Sequence, residues 1–568
     1  MRTARRVLIL AVAAVGGSSL AGQVASAAPP YSAKAPGRVV YSLDGGAISP
    51  TDNPGGERGP AVGLPDGGTV VVADGPDGRS VIIELDVDGT LDPSFTDAGL
   101  TAVQDNLDQF AVTEIVRQPD GKLVLVGSVP TSGNLVFPEL ALVRLNADGT
   151  LDSGFGIGGL KVLPIQASCT GCLTVAVRPG GGLVVGGSTG QQSPAIATDP
   201  AATPQTRWVV AALTSYGALD PSFGLAGIAF VGAPGSYAKD LAVLPDGEVV
   251  TDGDVYAGDQ RYKSQLVRLL PSGAPDPAFH GGTPEYLPDV AVPGILLVYP
   301  DGVAIVDLGR AIVRYTAAGL PDETFGTGGV VQTTSPDAAD RVNLFPSDGD
   351  GAVAILENES DYGSDEVERI GPTGAVDAPF SVGTPFGGGS SSFVTSERPR
   401  GLPPLDQNTF AGSVLERPDG SFVLLGDVAV SQPTGEGEGR SSEELAAAAL
   451  TPSFGLDPSF GGPPTPLQAT LAVIRQRAST ARTRHGIRVT LGVSAPGLAR
   501  IVIKASGRVV AQSVLPVFVA GASTLPVELT SFGNTWLGRH PRSRLTASLK
   551  ARDVLTNTAT ATASGALR

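Results

Sequence analysis

The stretch Leu456-Asp457-Pro458-Ser459-Phe460-Gly461-Gly462 is the last of seven related copies, and no other feature limits the fold so strongly. The copies centre on Phe95, Phe155, Phe223, Phe279, Phe325, Phe380 and Phe460. A second landmark precedes each of them: Pro65-Asp66-Gly67, Pro119-Asp120-Gly121, Pro179-Gly180-Gly181, Pro245-Asp246-Gly247, Pro300-Asp301-Gly302, Ser347-Asp348-Gly349 and Pro418-Asp419-Gly420. Strict alternation of two landmarks over seven rounds is hard to produce by chance, so the chain is a repeat protein.

Within one unit the apolar runs are short and separated by tight turns. In the second, Val112 to Val116, Leu123 to Val126, Leu140 to Leu145 and Leu160 to Leu163 read as four strands, a to d. Pro119-Asp120-Gly121 joins a to b, and Asn146 to Phe155 joins c to d. The Gly residues supply the positive backbone angles that such turns need. The 76 Gly and 47 Pro punctuate Val, Ile and Leu runs, the pattern of many short strands, and no helical period competes. The best helix candidate, Ser441 to Ala449, is short, Ala-rich and reads equally as strand c of its unit.

Most units follow their Phe with a d strand, such as Gly159 to Leu163 or Gly227 to Val231. After Phe460 comes Pro463-Pro464-Thr465-Pro466, which cannot donate to a ladder. The orphan strand Arg38 to Leu43 has the character to fill that place. Seven four-stranded units, the last completed by the first strand, predict an all-β chain with a seven-bladed β-propeller closed by its N-terminal strand. Closure removes the open sheet edges. The repeated Phe is then a packing anchor between blades.

Arg144-Leu145-Asn146-Ala147-Asp148-Gly149-Thr150-Leu151-Asp152 with Phe155-Gly156, preceded by Pro-Asp-Gly and an apolar strand, resembles the delta-60 repeat of bacterial secreted and surface proteins. The likeness spans about residues 38–462 and is weakest in the sixth unit, where Ser347-Asp348-Gly349 and Val376-Asp377-Ala378-Pro379-Phe380 depart from it. It implies a propeller and an exported location, and it brings no catalytic residue.

Arg2, Arg5 and Arg6, an apolar run from Val7 to Ala21, and Ala25-Ser26-Ala27 mark residues 1–27 as a removable export signal. Residues 28–37 form a Pro-containing lead, 38–462 the propeller and 463–468 a stiff Pro-rich linker. From 469 to 568 the pattern changes: Ile487, Val489, Leu491 and Val493 alternate with polar or small residues. Candidate strands at about 469–475, 486–495, 499–505, 507–514, 524–530, 544–552 and 556–563 predict a β-sandwich of immunoglobulin or fibronectin type. The net charge of -17 is unevenly spread. Residues 467–568 hold twelve Arg and two Lys against Glu528 and Asp553, giving +12; with +3 on residues 1–27, the middle carries -32. An acidic body thus bears a basic domain, which suits either plain solubility or attraction to anionic envelope polymers. Neither a membrane span nor a lipid anchor is indicated.

The a–b and c–d turns keep one form, whereas the b–c loops range from Asp307-Leu308-Gly309-Arg310 to Ser188 through Arg207. Length variation therefore falls on one rim, the arrangement by which a rigid frame presents a binding surface, or by which exposed loops drift. That rim is expected to carry Asp105, Asp108, Asp240, Asp252, Asp254, Tyr256, Tyr262, Asp340, Glu359, Asp361 and Tyr362. Such an acidic, aromatic mouth could take structural Ca²⁺, a cationic ligand or a sugar. Cys169 and Cys172, in a d–a loop of an exported chain, read as a small disulfide. His280, His485 and His540 are too scattered for zinc or a nucleophilic triad. The strands of the basic domain lack the interleaved aromatics of a nucleic-acid binder. The leading reading is a secreted or cell-surface, non-enzymatic module for a protein or glycan ligand, without a cofactor. The alternatives are a carbohydrate-active propeller using two rim carboxylates and a structural surface protein tethered by its basic domain.

Overall fold

The computed structural model describes residues 31–35, 38–42, 49–50, 60–74, 80–92, 94–95, 100–102, 110–131, 134–166, 173–189, 206–232, 234–258, 261–287, 296–301, 304–307, 311–332, 341–347, 351–357, 366–376, 380–381, 406–432, 440–453, 455–462, 467–494, 497–517, 521–553 and 558–567. Residues 1–27, expected to be an export signal, and 463–466 of the expected linker lie outside them. The chain is all-β apart from two short α-helices and one 3-10 turn among these residues.

The second repeat unit folds as Ala111–Arg117, Leu123–Thr131, Asn134–Leu145 and Leu160–Gln166, antiparallel and paired in that order. We call this sheet two. The other units, sheets one and three to seven, begin with Ala61–Gly63, Thr174–Val177, Ser236–Val243, Leu296–Val298, Arg341–Ser347 and Asp406–Glu416. Each first strand lies against the first strand of the next sheet, and that of sheet seven lies against that of sheet one. In sheet seven the d place is taken by Arg38–Ser42, with Val39 opposite Ala447 and Tyr41 opposite Leu445. Tyr31–Ala35, read from sequence as a plain lead, extends that sheet as a fifth strand in a hairpin with Arg38–Ser42. Five residues without apolar alternation give no periodic signal of a strand. Ser441 to Ala449 also lies in a strand, Arg440–Leu450, because its alanines are buried on both faces of the sheet.

Burial on two faces explains the unbroken apolar runs. Leu123 and Leu125 join a cluster with Val70, Val72 and Ile82 of sheet one. Val124 and Val126, one residue out of phase, join Val175, Leu183 and Val209 of sheet three. Sheets seven and one share a cluster in the same way, Val423 and Leu425 with Val71 and Ile83.

A repeated joint locks neighbouring sheets. The buried Phe155 ring lies against Gly217 in the c–d turn of sheet three, where a Cβ would stand 2.8 Å from it. Phe223 meets Gly273, Phe279 meets Gly319, and Phe460 of sheet seven meets Gly89 of sheet one. Beside these rings the next residue's N–H crosses to the neighbouring turn: Gly224 donates to Ser272 O at 2.7 Å, His280 to Ala318 O at 2.9 Å and Gly461 to Asp88 O at 2.7 Å. An Arg covers each ring. Arg144, Arg268 and Arg314 come from strand c, at 4.6, 5.3 and 5.1 Å from the centroids of Phe155, Phe279 and Phe325. Where strand c has Ala212 or Ala449 at that position, the guanidinium comes from the end of strand a instead, as Arg178 over Phe223 and Arg417 over Phe460. These Arg also tie sheets together, Arg268 Nη1 donating to Ala317 O at 2.7 Å and Arg417 Nη2 to Val87 O at 2.9 Å.

The C-terminal segment forms two further sheets. Ala469–Val473, Gly486–Val493 and Gly521–Glu528 make one; Arg508–Val517, Gly497–Ala505, Arg544–Asp553 and Thr558–Ala566 make the other. Ile487, Val489, Ile501, Ile503 and Leu549 share one core. The helices, α1 (Ala478–Thr483) and α2 (Ser531–Arg539), were not expected from sequence. α1 is too short for a helical period, and α2 contains Gly533 and Gly538. Thr530 Oγ1 caps α2 by accepting Gly533 N–H at 2.9 Å. Gly533 is required there, since a Cβ would stand 1.7 Å from Val510 O.

Candidate functional site

Of the residues singled out on the variable rim, Asp240, Asp252, Asp254, Tyr256 and Tyr262 lie together in sheet four. Asp105, Asp108, Asp340, Glu359, Asp361 and Tyr362 lie outside the described residues, as do Cys169 and Cys172.

The local cause of the sheet-four arrangement is a bulge. The register between Ser236–Val243 and Val249–Gly258 shifts between Ala238 and Leu241, so Lys239 and Asp240 fall out of the ladder. Their backbone groups then need other partners. Asp252 Oδ1 accepts the Asp240 N–H at 2.9 Å, and Thr251 Oγ1 donates to Asp240 O at 2.9 Å. Asp252 is fully buried in this role rather than standing on a rim. Its Oδ2 has no hydrogen-bond partner. Burial, followed by the charge of Asp240, pushes its carboxyl well above the usual range.

Asp240 is a bridging group. Its carboxylate accepts from Thr174 Oγ1 of sheet three at 3.2 Å, from Leu241 N–H at 2.7 Å and from Leu296 N–H of sheet five at 3.3 Å. Glu114, a residue the sequence did not single out, does the same one joint earlier, accepting Val175 N–H of sheet three at 2.7 Å. Beside it Thr113, at another bulge, donates to Leu173 O at 2.8 Å. The carboxylates of the first strands are therefore backbone partners that tie one sheet to the next. Only a glimpse of this was available beforehand: Glu114 and Asp240 each interrupt an apolar first strand, and no ligand chemistry was needed to explain them.

Further along the same strand the groups become less buried. Asp254 pairs with Lys239 Nζ at 3.1 Å and accepts the Ser264 hydroxyl. Tyr256 and Tyr262 stand directly opposite one another in the ladder, toward the b–c end. Trp208, fully buried, packs under Gly253, where a Cβ would lie 2.9 Å from its ring. Among the described residues no three His, Cys, Asp or Glu side chains gather as a metal site. No helix among them is long and apolar enough to cross a membrane.

Two segments, residues 118–155 and 244–279, match a family model described as a domain of unknown function (DUF5122) beta-propeller. Each match runs from the residue before Pro-Asp-Gly to the buried Phe, the same unit that the joints repeat. These two segments are thus similar to β-propeller repeats. No curated protein matches it. Solved structures to which the repeats are similar include a protein of unknown function from Bacteroides caccae, with 11% identity and a TM-score of 0.31 over 53% of this chain and 89% of that one. Others are a glucose dehydrogenase (16%, 0.33, 52% and 92%) and a Hadza microbial sialidase (10%, 0.32, 67% and 73%). Overlaps this loose carry no statement about chemistry.

Proposed function

We propose that the protein is an exported, non-catalytic binding module. In this reading residues 1–27 are a removed signal, residues 38–462 a seven-bladed propeller closed by Arg38–Ser42, and 469–568 an immunoglobulin- or fibronectin-type sandwich. Closure is supported by the Phe460–Gly89 joint and by Tyr41, whose hydroxyl donates to Gly89 O at 2.5 Å across sheets seven and one. The sandwich is supported by its strand order, first-second-fifth in one sheet and fourth-third-sixth-seventh in the other.

The observation that carries the function is the use made of the carboxylates. Asp240 and Glu114 bond backbone N–H groups of adjoining sheets, Asp252 is fully buried and accepts the Asp240 N–H, and Asp254 is paired with Lys239. None of the four is a solvent-facing acid or base of the kind bond cleavage needs, so this part of the rim suits holding a ligand beside the half-buried Tyr256. The ligand is a protein or glycan, and Ca²⁺ is a candidate aid to binding. A glycan and cell-wall polymer array with the full chain, run with and without Ca²⁺ and scored for product as well as retention, tests the reading. Retention without product is expected. Release of product from any glycan would overturn it.

A further inference from the structure

The helix α2 carries an aromatic ladder on its surface. Phe532 and Trp536 rings stand 5.6 Å apart, tilted by 32°, and Trp536 stacks on His540 at 4.0 Å and 16°. Phe532 is 37% exposed and His540 is exposed, so the ladder faces outward although Trp536 also leans on the core. Large apolar side chains are seldom left in a row on a surface unless something covers them.

The surroundings of the ladder are cationic. Arg508 lies over the Phe532 ring at 5.6 Å. α1 packs on α2, bringing Arg482 to Asn534 Oδ1 at 3.1 Å, and Leu529 N–H is tied to His485 O at 2.9 Å. Arg539 and Arg542 follow directly and are exposed. Residues 467–568 hold fourteen Arg and Lys against only two carboxylate side chains, Glu528 and Asp553, a net charge of +12. An all-cationic pole without aromatics would fit any polyanion. An aromatic ladder within it adds a preference for flat, weakly polar ring faces.

We propose that this pole binds an acidic polysaccharide, with sugar rings lying on Phe532 and Trp536 and their carboxylates or phosphates meeting Arg508, Arg539 and Arg542. The site is separate from the sheet-four rim and does not depend on it. The charge complementarity makes the contact salt-sensitive, and the ladder makes it ring-dependent.

The test is retention of the full chain on three immobilised polymers: polygalacturonate with acidic rings, dextran with neutral rings, and polyglutamate with charge and no rings. Polygalacturonate is expected to bind at least tenfold more tightly than either of the others at low salt. Phe532→Ala, at an exposed position, should lower that affinity about tenfold without shifting the thermal midpoint, and the double change Arg539→Gln with Arg542→Gln should remove most of the salt dependence. Equal binding to polyglutamate, or an unchanged Phe532→Ala variant, would overturn the proposal. So would silence on polygalacturonate, the result expected if the acidic first part of the same chain occupied the pole.

Discussion

Replacing Gly89 with Ala tests whether the two ends of the repeat array are joined. Gly89 has φ of +77°, and a Cβ there would lie 2.6 to 2.8 Å from three atoms of the Phe460 ring. Two costs add. Holding Ala in the left-handed region costs about 1–2 kcal/mol, and pushing aside a fully buried ring costs about 1–3 kcal/mol more. The expected loss is about 2–5 kcal/mol. Gly328 is the control, because its φ of +64° imposes the same backbone cost while its Cβ would meet nothing within 4 Å. Gly328→Ala should therefore lose only about 1–2 kcal/mol. Urea unfolding followed by Trp208 fluorescence, in a Trp536→Phe background, compares the two. A further check is coupling: Phe460→Leu should cost less in the Gly89→Ala chain than in the parent, since the smaller side chain makes room for the methyl group. Equal losses for Gly89→Ala and Gly328→Ala, with no coupling to Phe460, would refute the joint between sheets seven and one.

Tyr41→Phe, which removes the hydroxyl bonded to Gly89 O, should cost about 0.5–1.5 kcal/mol in the same unfolding assay. The Asp carboxyls of the turns respond to acid. Hydrogen bonds hold Asp152, chiefly through Lys122, and Asp322, chiefly through Thr324, below their usual range. Their stabilisation is present above the unfolded value of about 3.9 and is lost as pH falls through the lower folded values, so Lys122→Met should blunt the loss of thermal midpoint below about pH 4. Glu84 has the opposite sign, because burial and then Asp92, Asp66 and Asp86 push its carboxyl up to about 7. The folded state holds that proton when the unfolded chain does not, so stability should fall as pH rises from about 4.3 to about 7; a Glu84→Gln chain whose thermal midpoint keeps the same slope across that window would exclude the effect. Gly533→Ala should displace α2 from Val510 O and cost at least about 3 kcal/mol, read as a lowered denaturation midpoint of Trp536 fluorescence.

The repeat was legible because its landmarks have local duties. A Pro-Asp-Gly turn needs its Gly for a positive φ wherever it sits, and Phe155, Phe223, Phe279 and Phe460 each need a Gly opposite, so both recur at fixed places. The Arg that covers each ring was not legible, because it comes from strand c in sheets two, four and five and from strand a in sheets three and seven. What repeats there is a position in space, and two sequence positions can fill it. The rim residues were harder still. Asp252 and Asp254 are two apart on one strand and point to the same face, so alternation treats them alike. Yet Asp252 meets the bulge at Ala238 to Leu241 and is consumed by the N–H that the bulge frees, whereas Asp254 lies beyond it and pairs with the displaced Lys239. Depth along the strand relative to a bulge on its neighbour decides which carboxylate is structural. A sequence read strand by strand carries no record of that neighbour, so acidic residues in a repeat scaffold become ligand candidates only after the backbone groups that need them have been satisfied.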